Sequence, residues 1–587
     1  MPACQLSASR ICVHISPMKF SAPKAPAVQG PRTFDELAAM LENAPANGTV
    51  ELSQDIHEPP VYNWQPIAVR SGVTIKGNGF AIGSANDPSR QLSAPLIGNG
   101  AAAINNLTVE NLTLHINFPN LASANPVGGV VTIANNSKFT NVNVCGVSAQ
   151  PASLYVGGIA GESRGATSFT SCKNYADIIG LTDIGGIAGY AYSAGGAPTF
   201  SDCTNAGALR SANPNPSGGA EANIGGIVGS IRSGSIERCV NNGDISAICE
   251  NVGGIAGRAN AASIANSSNR ASVSGASNNM AGIAGIAADA VKITNCSNSG
   301  AISPQDSAVG CCFGGIAGNL STNGLIEHCV NTGAINGSEA AVGAASHVGG
   351  IVGHIFDNCN VLTSTNRGIV RGVDCAGGIA GVAESESPTR IIMSNNINTG
   401  DVACTGINIG GILGVAYSAV TVSNNSTVGS TGTIQGAKNI GGIVGFVGRY
   451  ANAATRAGAS VIENNRAAAP LISATGIAAD DGVRRILGNF ETNLETTLTL
   501  NNNYADTAMK LEGSNTSLYS YDYNAYTTAL GALYNKSVVL ADGSDHDYGL
   551  NRMNGLNRTL SDRSAGGVPA YGYACPPRRP TRRPFMC

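Results

Sequence analysis

Short alternations of apolar and polar residues recur along most of this chain, and they meet at glycine pairs. In Ile184-Gly-Gly-Ile-Ala-Gly189 an isoleucine precedes the pair and another follows three positions on. Strand side chains alternate between faces, so one unbroken strand cannot bury both. The pair therefore predicts a corner, with glycine tolerating the dihedrals that a corner needs. Copies stand at Val127-Gly-Gly-Val-Val-Thr132, Val156–Gly161, Ile224–Gly229, Val252–Gly257, Met280–Gly285, Phe313–Gly318, Val348–Gly353, Ala376–Gly381, Ile409–Gly414 and Ile440–Gly445. Their starts lie 28 to 40 residues apart. A fixed minimum period with additions of varying length is the pattern of a solenoid with loop insertions, such as Ser211-Ala-Asn-Pro-Asn-Pro-Ser-Gly-Gly.

A second signature follows the glycines in each unit, as in Ile236-Glu-Arg-Cys239-Val-Asn-Asn-Gly243-Asp-Ile245 and Ile326-Glu-His-Cys329-Val-Asn-Thr-Gly333-Ala-Ile335. Ile236 and Cys239 show the same three-residue break in parity, which predicts a second bend. One unit then holds three short strand-like pieces. No unit carries helical periodicity, and the leucines of leucine-rich solenoids are missing. The fold class predicted is all-β, a right-handed parallel β-helix (β-solenoid). Roughly 14 to 16 coils at about 4.8 Å each make a rod of about 70 Å.

The flanks differ from the repeat. Residues 1–31 hold prolines among small and polar residues and are read as a mobile arm. Thr33-Phe-Asp-Glu36 is a capping box followed by apolar residues at Phe34, Leu37, Ala38 and Leu41, so a short helix is predicted over about Phe34 to Asn43. It would cap an open solenoid end that otherwise exposes apolar interior and strand edges. Strands are expected around Thr49, Val73 and Leu107. The solenoid with its capping helix is assigned to 32–505, a C-terminal cap or small appended element rich in tyrosine to 506–574, and an extended Pro/Arg-rich tail to 575–587.

The paired signatures, Gly-Gly-Ile-x-Gly and Asn-Cys-x-Asn-x-Gly-x-Ile, resemble those of GLUG-motif surface proteins over roughly Val127 to Asp506. The Thr49 to Ile82 region resembles the first coils of pectin-lyase-like β-helices. The resemblance implies a secreted surface or adhesive protein as a class. Against ordinary secretion, Met1 to Phe20 lacks the charged start and apolar core of a secretory signal.

Composition agrees with thin stacked coils: charged residues are 12% and aromatics 5%, whereas glycine numbers 76. A net charge of −3 gives no electrostatic case for nucleic acid, and no apolar run is long enough for a membrane helix, so neither nucleic acid nor membrane insertion is expected. Aligned by unit, Cys172, Cys203, Cys239, Ser267, Cys296, Cys329 and Ser364 form one column. Serine breaks the column, and stacked strands about 4.8 Å apart exceed the Cβ spacing of about 3.8 Å that a disulfide wants, so these cysteines are read as small interior side chains. Cys4, Cys12, Cys575 and Cys587 sit on the arms and are candidates for cross-links between copies of the chain.

Catalysis on a β-helix needs carboxylates from adjacent coils within a few Å of each other. Asp177, Asp244 and Asp401 share a column, as do Glu237 and Glu327, yet neither column places two on neighbouring coils. The position after each motif reads Glu162, Tyr190, Ser230, Arg258, Ile286, Asn319, His354, Val382, Val415 and Phe446, an outward face without one common task. His354 with nearby His347 is a candidate local site. Asp542, Asp545 and Asp547 are candidates for a cation, although they lack an EF-hand pattern. No catalytic, cofactor-binding or metal-binding residue is assigned, and no cofactor is expected. The function expected is a non-enzymatic structural or adhesive β-solenoid of an extracellular or particle surface, self-assembling into a fibre or layer. Its expected partners are copies of itself, a surface polysaccharide or a host receptor. The alternative is a carbohydrate-binding or polysaccharide-cleaving β-helix. The sequons at Asn111, Asn266 and Asn425 leave glycosylation open.

Overall fold

The chain opens, among its described residues, on helix α1 (Phe34–Asn43), within the predicted limits. The computed structural model describes residues 30–57, 64–119, 126–212, 222–304, 312–337, 346–385, 390–417, 419–428, 432–448, 460–475, 482–490, 498–506 and 509–513, and the backbone of 538–540. The Thr33 hydroxyl accepts from Glu36 N as a capping box requires, but the Glu36 carboxylate reaches back one residue further, to Arg32 N at 2.7 Å. Phe34, Leu37 and Leu41 are buried, and Phe34 meets Trp64 edge to face with centroids 5.9 Å apart. The helix so places its apolar stripe on the first coils.

From Thr49 onward the chain is a parallel β-solenoid of about 11 turns, and in-register pairing continues on both sides of the eleven motif copies, from Thr49–Glu51 to Leu498–Asn501. Equivalent positions pair in register from coil to coil, for example Val156 with Ile184, Ile184 with Ile224 and Ile224 with Val252. The strand after each glycine motif joins a sheet of 13 strands, and the other pieces join one of 49. Insertions leave this register intact: Leu209–Ser211 and Asn223–Gly225, on either side of 213–221, both pair with the coils next to them.

One coil is built from five strand pieces, not the three expected: Ser168–Thr170, Lys173–Asn174, Asp177–Gly180, Asp183–Gly185 and Ala188–Tyr192. The two additional breaks follow Asn174 and Gly180, and the expected break before the cysteine column has a local cause. The residue before the cysteine column adopts positive φ in coil after coil: Ser171 (54°), Asp202 (58°), Arg238 (53°), Asn266 (52°), Asn295 (53°) and His328 (55°). Such a left-handed residue turns the strand and changes which face the next side chain takes, so both Ile236 and Cys239 point inward. The glycine pair makes its corner for a different reason from the one predicted. Gly225 and Gly226 do not adopt positive φ, but a Cβ on Gly226 would overlap the Gly254 carbonyl oxygen of the next coil, and one on Gly186 would overlap that of Gly226. Glycine is required by close approach between coils rather than by its dihedral range.

The interior is a set of columns. Phe139, Phe169 and Phe200 stack at 5.0 and 4.9 Å between centroids. The cysteine column is buried as expected, with all eleven described cysteines free thiols. Each thiol of the column points to a carbonyl of the preceding coil, as from Cys203 Sγ to Phe169 O at 3.5 Å. Past Ser364 the same column becomes Asn396, Asn425, Asn465 and Asn503, which the sequence reading did not extend to. Asn425 is a fully engaged member, donating to Met393 O and to Asn465 Oδ1, so this sequon is closed to glycosylation in the folded chain. A second ladder runs through Asn174, Asn205, Asn241, Asn269, Asn298, Asn331, Asn366 and Asn398. Each of the first seven donates Nδ2 to Oδ1 of the next at 2.8 to 2.9 Å. Each amide thereby satisfies its neighbour in a region closed to water.

Beyond 505, Lys510–Gly513 pairs with Leu471–Ala474, and Val538–Leu540 pairs with Asn503–Ala505, so solenoid pairing extends into the segment expected to be a C-terminal cap or small appended element. Cys4, Cys12, Cys575 and Cys587, with Asp542, Asp545 and Asp547, lie outside the described residues. No helix among the described residues is long and apolar enough to cross a membrane.

Two outcomes test this packing. Gly226→Ala should destabilise the solenoid by about 3 kcal/mol through overpacking, whereas Gly432→Ala, whose new methyl meets nothing closer than 3.4 Å, should stay within about 0.5 kcal/mol; thermal melting of the two variants compares them. Burial pushes the Cys203 and Cys239 thiols well above their usual range. A thiol reagent on native protein should therefore label only cysteines among Cys4, Cys12, Cys311, Cys575 and Cys587, and the rest after denaturation, as read by peptide mass spectrometry.

Candidate functional site

The residues just before and just after each glycine motif stand seven apart in sequence, and the corner folds them toward each other. The column before the motif reads Tyr155, Asp183, Asn223, Asn251, Asn279, Cys312, His347, Cys375, Asn408 and Asn439. Facing it is the column after the motif, from Glu162 to Phe446. Together they line a crease along the outside of the solenoid, deep enough that Glu162, Asp183, Asn223, Ser230 and Asn251 are buried although they point away from the core.

Near its N-terminal end the crease opens into a cleft of about 310 Å³ lined by Tyr155, Asp183, Tyr190, Asn223, Ser230, Arg232 and Arg258, with Leu154 and Thr182 at its edge. Tyr155 and Tyr190 stack with centroids 5.0 Å apart, and Tyr192 tilts against Tyr190 at 5.3 Å. Arg232 lies over the Tyr190 ring and Arg164 over Tyr192, at 5.8 and 5.9 Å. Glu162 is held by Arg164 at 2.7 Å. The Asp183 carboxylate accepts from Asn223 Nδ2 at 2.6 Å, and Asn251 and Asn279 continue that chain of amides at 2.8 Å. Burial raises the Asp183 pKa to about 7, against the opposing pull of Asn223, Arg232 and Arg258.

Further along, His347 and His354 do meet, with ring centroids 5.0 Å apart, and Cys312 joins them with Sγ 3.8 Å from His347 Nδ1. Beyond this cluster the crease turns apolar at Cys375, Val382 and Val415, packed against Tyr417 and Phe446. Asp177, Asp244 and Asp401 are not brought together. Each accepts a backbone N–H of the next coil, from Ala208, Ser272 and Thr433 respectively, and so acts as a coil-to-coil brace. Glu237 pairs with Arg238, and Glu327 lies 3.8 Å from His328.

The chain matches no family model, no curated protein and no solved structure. Its solenoid architecture therefore stands on the geometry alone.

In the sequence only the wall after the motif stands out as a column. Columns aligned at a single position do not reveal that Tyr155 of one wall stacks on Tyr190 of the other; the seven-residue spacing across each motif is the available signal.

The raised Asp183 pKa has a definite consequence for stability. The folded carboxyl retains its proton to higher pH than the unfolded one, so folding is favoured below about pH 4 and this contribution is lost as pH rises toward 7. Asp183→Asn should remove that loss, and melting temperatures of both proteins between pH 4 and 8 should converge at the acid end and separate, with the variant higher, at the alkaline end.

Proposed function

We propose that this chain is an adhesive β-solenoid that binds an acidic, hydroxyl-rich oligosaccharide in the crease. The observation that carries the reading is the tyrosine and arginine cleft around Tyr155, Asp183 and Tyr190. Aromatic rings supply flat apolar surface for a sugar ring, amides and phenols supply hydrogen bonds to hydroxyls, and Arg232 and Arg258 supply positive charge for an acidic substituent. A chain of sugars lies along a groove, and this one runs through successive coils. The parallel stack supports the reading because Tyr155, Asp183, Tyr190, Asn223, Ser230, Arg232 and Arg258 all lie in its strands. Display on an extracellular or particle surface, the class implied by the GLUG-like signatures, belongs to the same proposal, as does assembly of copies through the terminal cysteines.

A second reading, cleavage rather than binding, has one observation in its favour. Glu162 and Asp183 come from successive coils into one crease, and Asp183 has the pKa of a group able to give or take a proton near neutrality.

Titration of the full chain with neutral and uronic-acid oligosaccharides should show saturable binding of the acidic series, weakened roughly 10-fold, about 1.4 kcal/mol, by Tyr190→Ala or Arg258→Ala. Absence of binding across the panel would remove the proposal. New reducing ends that vanish in Asp183→Asn would replace it with the cleavage reading.

A further inference from the structure

Cys312, His347 and His354 form a group whose donor atoms all lie within 4.8 Å of one another. Cys312 and His347 are register partners on consecutive coils of one wall of the crease, and His354 faces His347 from the other wall. The 3.8 Å between Cys312 Sγ and His347 Nδ1 is close to the separation of about 3.6 Å that sulfur and nitrogen have around one tetrahedral zinc, with bonds of about 2.3 and 2.0–2.1 Å. The backbone thus already holds the donors near the spacing that a small cation would impose.

A second observation points the same way. His354 Nε2 and Asn319 Oδ1 are both buried without a hydrogen-bond partner, even though Asn319 Nδ2 lies 3.4 Å from His354 Nδ1. The two ends of a side-chain amide have the same shape, so its orientation follows from the bonds it makes. Rotating the Asn319 amide sets Oδ1 to accept from Nδ1–H, which fixes the tautomer with a bare lone pair on Nε2. Nε2 is then free to bind a ligand, and the Asn319 Nδ2 takes the position that Oδ1 leaves. Orientation of a metal-binding histidine by an oxygen behind it is the usual arrangement at such sites.

We propose that Cys312, His347 and His354 bind a divalent cation of the zinc class, with Asn319 orienting His354. Thiolate and imidazole donors select zinc over the oxygen-seeking magnesium and calcium. Three protein ligands leave a fourth position, and the Glu384 carboxylate, 3.8 Å from His354 Nε2, stands beside the cluster to hold a water or close the shell. The site is separate from the tyrosine cleft and independent of its ligand.

The test is a Co²⁺ titration of the chelator-stripped full chain, followed by competition with Zn²⁺. One equivalent should produce a thiolate-to-cobalt absorption band that Zn²⁺ abolishes. Cys312→Ser and His354→Gln should lose the band while keeping the circular dichroism of the solenoid, Cys311→Ser should keep it, and Asn319→Ala should weaken binding roughly 10- to 100-fold. A folded wild-type chain that gives no band, or a band unchanged in Cys312→Ser, overturns the proposal. If Cys312→Ser loses its β signal, His354→Gln decides: a band unchanged there overturns it.

Discussion

Everything in this molecule depends on identical positions stacking directly over one another at the spacing of a β-sheet. Where the glycine motifs meet, the approach is closer still, with Gly226 lying under Gly254 where no Cβ fits. That constraint makes the solenoid a one-dimensional crystal of its own coil. A residue meets its equivalents above and below before it meets anything else. Inside, only side chains that tolerate their own kind persist: phenylalanine on phenylalanine, thiol on thiol, and asparagine on asparagine, whose amide both donates and accepts along the stack.

Self-stacking also explains what the outer columns do. A column of one charge would repel itself at every step, so Asp177, Asp244 and Asp401 are separated by uncharged coils and turned to brace the backbone of the next turn. Outside the core, the crease across the glycine corner is where different chemistry is brought face to face. It is walled by two columns rather than one, so a carboxyl, two tyrosines and two arginines share a cleft, with Tyr155 of one wall stacked on Tyr190 of the other. The fold thus supplies a continuous groove, and the chain varies its chemistry coil by coil: tyrosine and arginine at one end, imidazole and thiol in the middle, valine and phenylalanine beyond.

The same physics sets what was legible in the sequence. Helix α1 was readable because capping and periodicity are local, and the solenoid because eleven glycine motifs repeat a constraint acting between coils. The bend at Arg238 showed itself as a break in parity. The reason for the glycines did not, since a close approach by Gly254 is a contact between coils that no single unit contains. Likewise His347 and His354 were visible as neighbours, but Cys312 joins them from the preceding coil, 35 residues before His347. Sequence alignment of the repeat orders columns, and only the corner angle says which two columns face each other.

Orphaned polar atoms mark where such a structure stops satisfying itself. Each internal asparagine of the ladders finds its partners in the coils next to it, and among the described residues the buried orphans of the body are mostly single hydroxyls, such as those of Thr132, Ser163 and Ser277, with no second orphan against them. An unpaired buried acceptor costs about 1–3 kcal/mol. A repeat chain under selection for stability alone would remove that cost with one aliphatic substitution, as Ile286, Val382 and Val415 show at equivalent positions of the same wall. His354 and Asn319 keep the cost in two consecutive coils, against each other and beside a thiol and a second imidazole. Two departures from an available apolar solution, placed to complete one another, are the physical signature of a site whose remaining partner comes from solution.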